Sequence, residues 1–432
     1  MEDKYKKLFP FLRFLPPDKA ALKPDLQAGI IIAMVLIPQS MAYAELAGLP
    51  PQYGLYCSIL PCIIAALWGS SSHLSTGPVA MISLITATTL GSFAKSGSEY
   101  YIQMAQGSCL LAGFFFITFS VFRLDKLVQK IDSAVIKGFT NAAAIIIILS
   151  QINKILGFNV SDIFEQDQAA GSFSSDTLIT VALGVVALAS IVLLKKLFPK
   201  WPSVLLVIIF SAAAACLINN YLQRQAVATV GSVPAGLPAL GLPTKLTIND
   251  YVKLLPGSLV IAILGTLEVY SISRIIADNT GETLNFRQEF LGQGLACLGG
   301  GISSAYPSSG SFSRSALSYS AGAKTSFSSV IAGLSVLVVL VFFTKYLQYL
   351  PRVALGAVII SAVIKLINFK VCVEFWRKNR KDLATFSVTF AATLGFQHNI
   401  ILSIALGILT SLLLRIFSSA VSKKSLNWSR QL

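Results

Sequence analysis

A carboxyl, a guanidinium and two serine-rich stretches interrupt sequence that is otherwise apolar, and they are the first residues to ask about. Glu268 lies inside the apolar run 258–276. An ionisable group there costs about 2.5 to 3.5 kcal/mol on insertion scales, so it must face a cavity or a partner. Low dielectric favours the neutral form of a carboxyl, which suits proton carriage. A salt bridge to Arg314 or Arg274 is the structural alternative. Arg314 follows Ser311, Phe312 and Ser313 at the start of a short apolar segment. A guanidinium at that place adds positive charge to a helix N-terminus and to hydroxyl donors, unless it snorkels to an interface. Gln39 and Tyr43 are four apart, hence on one helical face, and follow Pro38, which frees a backbone carbonyl. Their amide and phenol suit either a ligand or bonding between helices.

Other chemistries are poorly served. The two histidines, His73 and His398, neighbour no candidate nucleophile, and no HExxH or GxSxG pattern occurs. Gly299 to Gly301 lacks the strand and turn of a nucleotide loop. The six cysteines, Cys57, Cys62, Cys109, Cys216, Cys297 and Cys372, form no CxxC pair, so neither a disulfide framework nor a metal or cofactor site is expected. The net charge of +15 resides in short connectors rather than along one face, which argues against a nucleic-acid partner. An enzymatic role is not expected.

The elements that must position these residues are membrane helices. The chain has 432 residues, 54% hydrophobic and only 12% charged, where a soluble domain spends about 25% on charge. Apolar blocks recur at lengths that, with their flanks, cross a hydrocarbon core needing roughly 20 helical residues. The pattern predicts an all-α integral membrane protein with about seven spans in 24–218 and about seven in 256–417. A polar connector, 219–255, separates them. Basic residues mark some connectors (Lys126 and Lys130; Lys195, Lys196 and Lys200; Lys378, Arg380 and Lys381; Lys423 and Lys424), while Asp162, Glu165, Asp167 and Asp176 mark another. The positive-inside rule then places both termini in the cytoplasm and the 219–255 connector outside. Residues 1–23, mixing Lys6, Lys7 and Arg13 with Leu8, Phe9, Phe11, Leu12 and Phe14, suit the cytoplasmic headgroup region. Residues 418–432 form a cytoplasmic tail, and no removable signal peptide is expected.

Two halves with odd numbers of spans have opposite orientations, the arrangement of an inverted-repeat transporter. The third span of each half is unusual. One follows Ser70, Ser71, Ser72, Ser75 and Gly77-Pro78; the other follows Gly299 to Gly301 and the serine-rich stretch 303–311. Short, Gly/Pro-broken segments at matching positions point to a midplane binding site, because a half-helix presents unpaired N–H groups and a positive dipole end. An anion suits such a site. Tight packing through small residues is the alternative.

Several stretches resemble a known family. Ile37-Pro38-Gln39-Ser40-Met41-Ala42-Tyr43-Ala44, Leu49-Pro50-Pro51-Gln52-Tyr53-Gly54-Leu55-Tyr56 and Gly77-Pro78-Val79-Ala80 closely resemble the sulfate permease (SulP, or SLC26) family. So does Tyr306-Pro307-Ser308-Ser309-Gly310-Ser311-Phe312-Ser313-Arg314-Ser315-Ala316. The resemblance implies fourteen segments in two inverted repeats of seven, in a fold shared with uracil permeases. A core domain (spans one to four and eight to eleven) would move against a gate domain in an elevator-like cycle. Spans three and ten would be half-helices with short β-like lead-ins. It places the anion between Val79 and Ala80 on one side and Ser311, Phe312, Ser313 and Arg314 on the other, with Gln39 and Tyr43 from span one. Glu268 matches the family's proton-coupling carboxylate in span eight, which favours proton-coupled sulfate symport in a cell membrane over sodium-coupled bicarbonate or dicarboxylate transport. Family members usually carry a C-terminal STAS domain, and the sequence stops at Leu432; this leaves its regulation and any homodimer contact through that domain open. An anion channel and a uracil- or xanthine-type permease are the rival readings. Glu268 weighs against the first, and Arg314 beside Ser311 and Ser313 against the second.

Overall fold

Pro24 and Pro38 fall inside the first helix without ending it, and α1 runs from Lys19–Leu46. The computed structural model describes residues 19–123, 132–156, 175–198, 202–396 and 402–414. Most of the expected interfacial segment 1–23, the acidic residues at 162, 165 and 167, the hinge after Phe396 and the tail 418–432 lie outside the described residues.

After α1 come α2 (Gln52–Cys57), α3 (Leu60–Trp68), a two-residue strand β1 (Thr76–Gly77), α4 (Ala80–Gly91), α5 (Glu99–Val121), α6 (Ser133–Leu156), α7 (Ser175–Leu197) and α8 (Ser203–Leu222). The second half gives α9 (Ile248–Thr280), α10 (Phe286–Ile302), β2 (Ser309–Gly310), α11 (Phe312–Ser320), α12 (Phe327–Phe342), the single turn α13 (Thr344–Leu347), α14 (Arg352–Val363), α15 (Lys370–Lys378) and α16 (Arg380–Gly395). A last apolar helix, α17, covers Leu402–Leu414. Among the described residues, seven helical stretches are long and apolar enough to cross a bilayer, the last counted from Arg352 in α14 on to Arg377 in α15, accompanied by four shorter apolar segments. Helices answer the demand that every backbone group in hydrocarbon be paired within its own segment.

Three elements depart from the pattern read in the sequence. The block near 53–68 is two helices rather than one. Ile59 breaks it with φ −97° and ψ −87°, Ser58 Oγ turns back onto Gly54 O at 2.8 Å, and Pro61 brings no N–H to the new first turn. The polar connector ends at Thr247 instead of 255. There Thr247 and Asp250 form a reciprocal capping box, strong enough to start α9 eight residues ahead of Pro256, which then sits inside the helix. The connector around 368–381 contains a separate short helix, α15, that the pattern missed.

The helices pack in two groups. In one, α10 lies against α5 and α3, α9 against α5 and α4, and α12 against α1 and α3. In the other, α16 lies against α6, and α14 against α6 and α7. Each group draws on both halves of the chain. They meet where α1 faces α14 and α8, and where α4 faces α6.

Candidate functional site

Two helices begin side by side because their lead-ins pair. β1 and β2 run antiparallel with Thr76 opposite Gly310 and Gly77 opposite Ser309, and Ser311 N–H extends the ladder to Ser75 O at 2.9 Å. Ser75 N–H in turn donates to Ser315 Oγ at 2.9 Å. The chain enters α4 through Val79 and α11 through Ser311, both in extended conformation and neither supplying a side-chain cap. The first intrahelical donors are Ser83 N–H to Val79 O and Ser315 N–H to Ser311 O. The N–H groups of Ala80 to Ile82 and Phe312 to Arg314 therefore have no acceptor within their helices, and two positive dipole ends share one place.

Arg314 is the third residue of α11 and is 0% exposed. Its Nη1 donates to Pro78 O at 3.0 Å, across to the lead-in of α4, whereas Nε and Nη2 are buried without partners. It does not snorkel. Gly77 makes room for it, since a Cβ at that position would stand 3.1 Å from Arg314 Nη2. Glu268, on α9, has a buried Oε2 without a hydrogen-bond partner. Its surroundings are Ser309 and the field of Arg314, and Ser309 Oγ also donates to Gly265 O at 3.4 Å. Neither candidate salt bridge forms. Arg274 instead donates to Tyr270 Oη at 2.7 Å, and Arg314 is engaged at Pro78.

Gln39 and Tyr43 are buried on α1. Gln39 Oε1 has no partner, and Tyr43 lies within the fields of Arg314 and Glu268. Val79, Ala80 and Ser311 are buried beside them. Phe312 and Ser313 are exposed, although Ser313 Oγ keeps contact with Ser311 Oγ at 3.4 Å. The fold thus gathers Gln39, Tyr43, Val79, Ala80, Glu268, Ser311 and Arg314, and leaves Phe312 and Ser313 exposed in the first turn of α11. Four buried polar atoms without partners fall on three of these residues: Gln39 Oε1, Glu268 Oε2, and Arg314 Nε and Nη2. Each such atom costs about 1 to 3 kcal/mol; the two Arg314 nitrogens and the uncapped helix starts are donors with the chemistry of an anion receptor, whereas Gln39 Oε1 and Glu268 Oε2 are acceptors, the latter on a titratable neighbour.

The model of the sulfate permease family matches residues 22–389. The chain belongs to that family. It is 35% identical over 415 residues to sulfate transporter 4.1, chloroplastic, of Arabidopsis thaliana, covering 93% of this chain and 60% of the relative. It is 32% identical to a sodium-independent sulfate anion transporter of Bos taurus, covering 89% and 68%. The chain therefore spans about three fifths of the length of the first of these relatives. Its fold resembles murine solute carrier 26 family member A9, an anion transporter solved in the inward-facing state, with TM-score 0.85, 20% identity and coverage of 97% and 72%. It also resembles the transmembrane domain of a cyanobacterial bicarbonate transporter, with TM-score 0.76, 20% identity and coverage of 91% and 98%. The permease is a multi-pass membrane protein.

Sequence reasoning missed the carboxylates that hold the lead-ins. Glu289 Oε2, buried on α10, accepts Ser70 N–H at 2.7 Å, Ser70 Oγ–H at 2.9 Å and Ser71 N–H at 2.9 Å. Glu282 accepts the N–H and hydroxyl of Ser72. Gln293 Nε2 donates to Thr76 Oγ1 at 2.8 Å. Asp25 on α1 accepts Lys324 N–H, Thr325 N–H and the Thr325 hydroxyl, tying α1 to the turn after α11. The available signal was the surplus of serines at 70–75, whose donors require acceptors once buried.

Proposed function

We propose that this permease is the membrane part of a secondary active transporter that takes up an inorganic oxyanion, sulfate, together with protons. The observation that carries the reading is Arg314: a buried guanidinium with one bond and two unpartnered nitrogens, set between the uncapped starts of α4 and α11. Sulfate supplies acceptors for those nitrogens and for the N–H groups of both first turns, with Gln39 and Tyr43 as side-chain donors from α1, Ser311 as a hydroxyl from the lead-in and Ser313 as one from the first turn of α11. Glu268 takes a proton as the anion enters, so that the loaded site carries less net charge through hydrocarbon. The group formed around α5, α9 and α10 then moves as a core against the gate group of α6, α7, α14 and α16, in the manner of an elevator. Fourteen spans in two inverted repeats, with α4 and α11 as half-helices and both termini in the cytoplasm, complete this reading. The names of the relatives and the family match support sulfate.

Bicarbonate is the second substrate to consider, supported by the likeness to a bicarbonate transporter's membrane domain, because backbone N–H donors read charge and size. Uptake of labelled sulfate into proteoliposomes under an imposed inward proton gradient tests both. Sulfate accumulates, unlabelled bicarbonate competes weakly, and Glu268→Gln abolishes gradient-driven accumulation while retaining exchange of sulfate for sulfate. Full gradient-driven accumulation by the variant would remove Glu268 from the proton path.

A further inference from the structure

The short helix α15 has no place in the transport reading, yet its surface is unusual. Nine residues between α14 and α16 carry two apolar faces. One, Val371 and Phe375, is buried against Ala134 of α6 and Phe386 of α16, with Lys137 Nζ 5.1 Å from the Phe375 ring. The other is half exposed or more: Val373 and Trp376, with Phe369 just ahead of the helix, are 53%, 64% and 53% exposed, although one edge of Phe369 rests against the Phe390 ring of α16 at 6.3 Å. At 100° per residue these three project within about 60° of one another, and Lys370 and Arg377 lie together on their flank. Arg380 stacks over Trp376 at 5.8 Å.

More positive charge converges from the neighbouring helices. Lys365, in the turn leaving α14, is exposed five residues ahead of Lys370, and Lys195 at the end of α7 lies near enough to Lys365 to feel its charge. Glu374, exposed on α15, is the one carboxylate among Lys365, Lys370, Arg377 and Arg380. The face therefore carries an excess of positive charge that anionic groups complement.

We propose that α15 and the adjoining lysines form a docking surface for anionic phospholipid headgroups, with Phe369, Val373 and Trp376 seated at the level where acyl chains begin. Position selects the lipid. α15 joins two membrane helices through its two ends, so its outward face cannot leave the bilayer boundary. An exposed aromatic stripe with lysine and arginine on its flank is the composition of a helix lying in that plane. Under the orientation proposed above, this is the cytoplasmic leaflet, the anionic one.

The test reconstitutes the full chain in nanodiscs of phosphatidylcholine alone and of equimolar phosphatidylcholine and phosphatidylglycerol. Trp376 fluorescence, isolated as the difference between the parent and Trp376→Phe, is quenched by lipids brominated near the headgroup and is poorly reached by acrylamide. Mass spectrometry of lipid retained after detergent washing shows phosphatidylglycerol enriched on the parent. Lys195→Gln, Lys365→Gln, Lys370→Gln and Arg377→Gln combined remove that enrichment, by roughly fivefold per cation. The exposed pair Lys365→Gln and Lys370→Gln gives an intermediate loss and guards against misfolding of the larger set. Quenching of Trp376 by acrylamide alone would overturn the proposal and mark the face as a site for a soluble partner. Equal phosphatidylglycerol retention by parent and variants would also overturn it.

Discussion

A guanidinium buried to 0% exposure with a single hydrogen bond holds a charge that the fold has not neutralised. Arg314→Gln removes that charge and retains a shorter polar side chain. Charge-assisted hydrogen bonds contribute about 1.5 to 3 kcal/mol each, so the KM for sulfate should rise roughly ten- to a hundredfold. Arg314→Lys rescues little, because a point charge cannot reach Pro78 O and the ligand together. Gly77→Ala is a subtler test: the added Cβ, 3.1 Å from Nη2, displaces the guanidinium by a few tenths of an ångström. Because Gly77 also holds a φ of +156° that an alanine adopts only under strain, its expected signature is a severalfold higher KM together with a modestly earlier melting transition in detergent, and an unchanged KM would separate Arg314 from the site. Glu268, Arg314, Gln39 and Tyr43 were legible in the sequence because polar groups inside apolar runs stand out by their cost. Asp25 and Glu289 were not, since their partners lie more than 200 residues away and no local spacing announces them.

Elements rather than residues decide whether the two helix starts coincide. The antiparallel pair β1 and β2 is only two residues long on each side, too short to hold itself, so its register depends on outside anchors. Glu289 is the principal one, clamping the backbone at Ser70 and Ser71 from α10. Glu289→Ala leaves three buried donors without their acceptor and should lower unfolding free energy by on the order of 2 to 4 kcal/mol, read as an earlier melting transition in detergent. Thr247→Ala removes only the cap of α9 and should cost about 1 kcal/mol; a larger loss from Thr247→Ala than from Glu289→Ala would refute this ranking. The breaks before α4 and α11 were visible in the sequence as Gly77-Pro78 and the serine-rich stretch to Ser311. The break at Ile59 was not, because apolar residues continue on both sides and only the backbone turns. The capping box that starts α9 also went unread, although Thr247 and Asp250 stand at the required spacing, because Pro256 drew the boundary to itself.

At the scale of the whole molecule, close glycine contacts join helices within one packing group or within the other. Gly29 meets Ile331, Gly113 meets the backbone of Gly294, Gly257 meets Thr89 and Gly333 meets Ile63 in the group around α5 and α10. Gly138 meets Phe386, Gly184 meets Val353 and Gly407 meets Thr389 in the group around α6 and α16. A contact so close that an added methyl would collide locks two helices in register. Each group therefore has the build of a rigid body, and the boundary between them is where sliding is cheapest. Neither group could be read from chain order, since each is assembled from both halves. Spin labels at exposed positions test the consequence. Phe114 on α5 paired with Ile302 on α10 should keep one distance with and without sulfate. Phe114 paired with Leu178 on α7 should show two distances whose populations shift when sulfate binds at low pH. A within-group pair that moved as far as the cross-group pair would mean that the helices deform individually, and the elevator reading would fall.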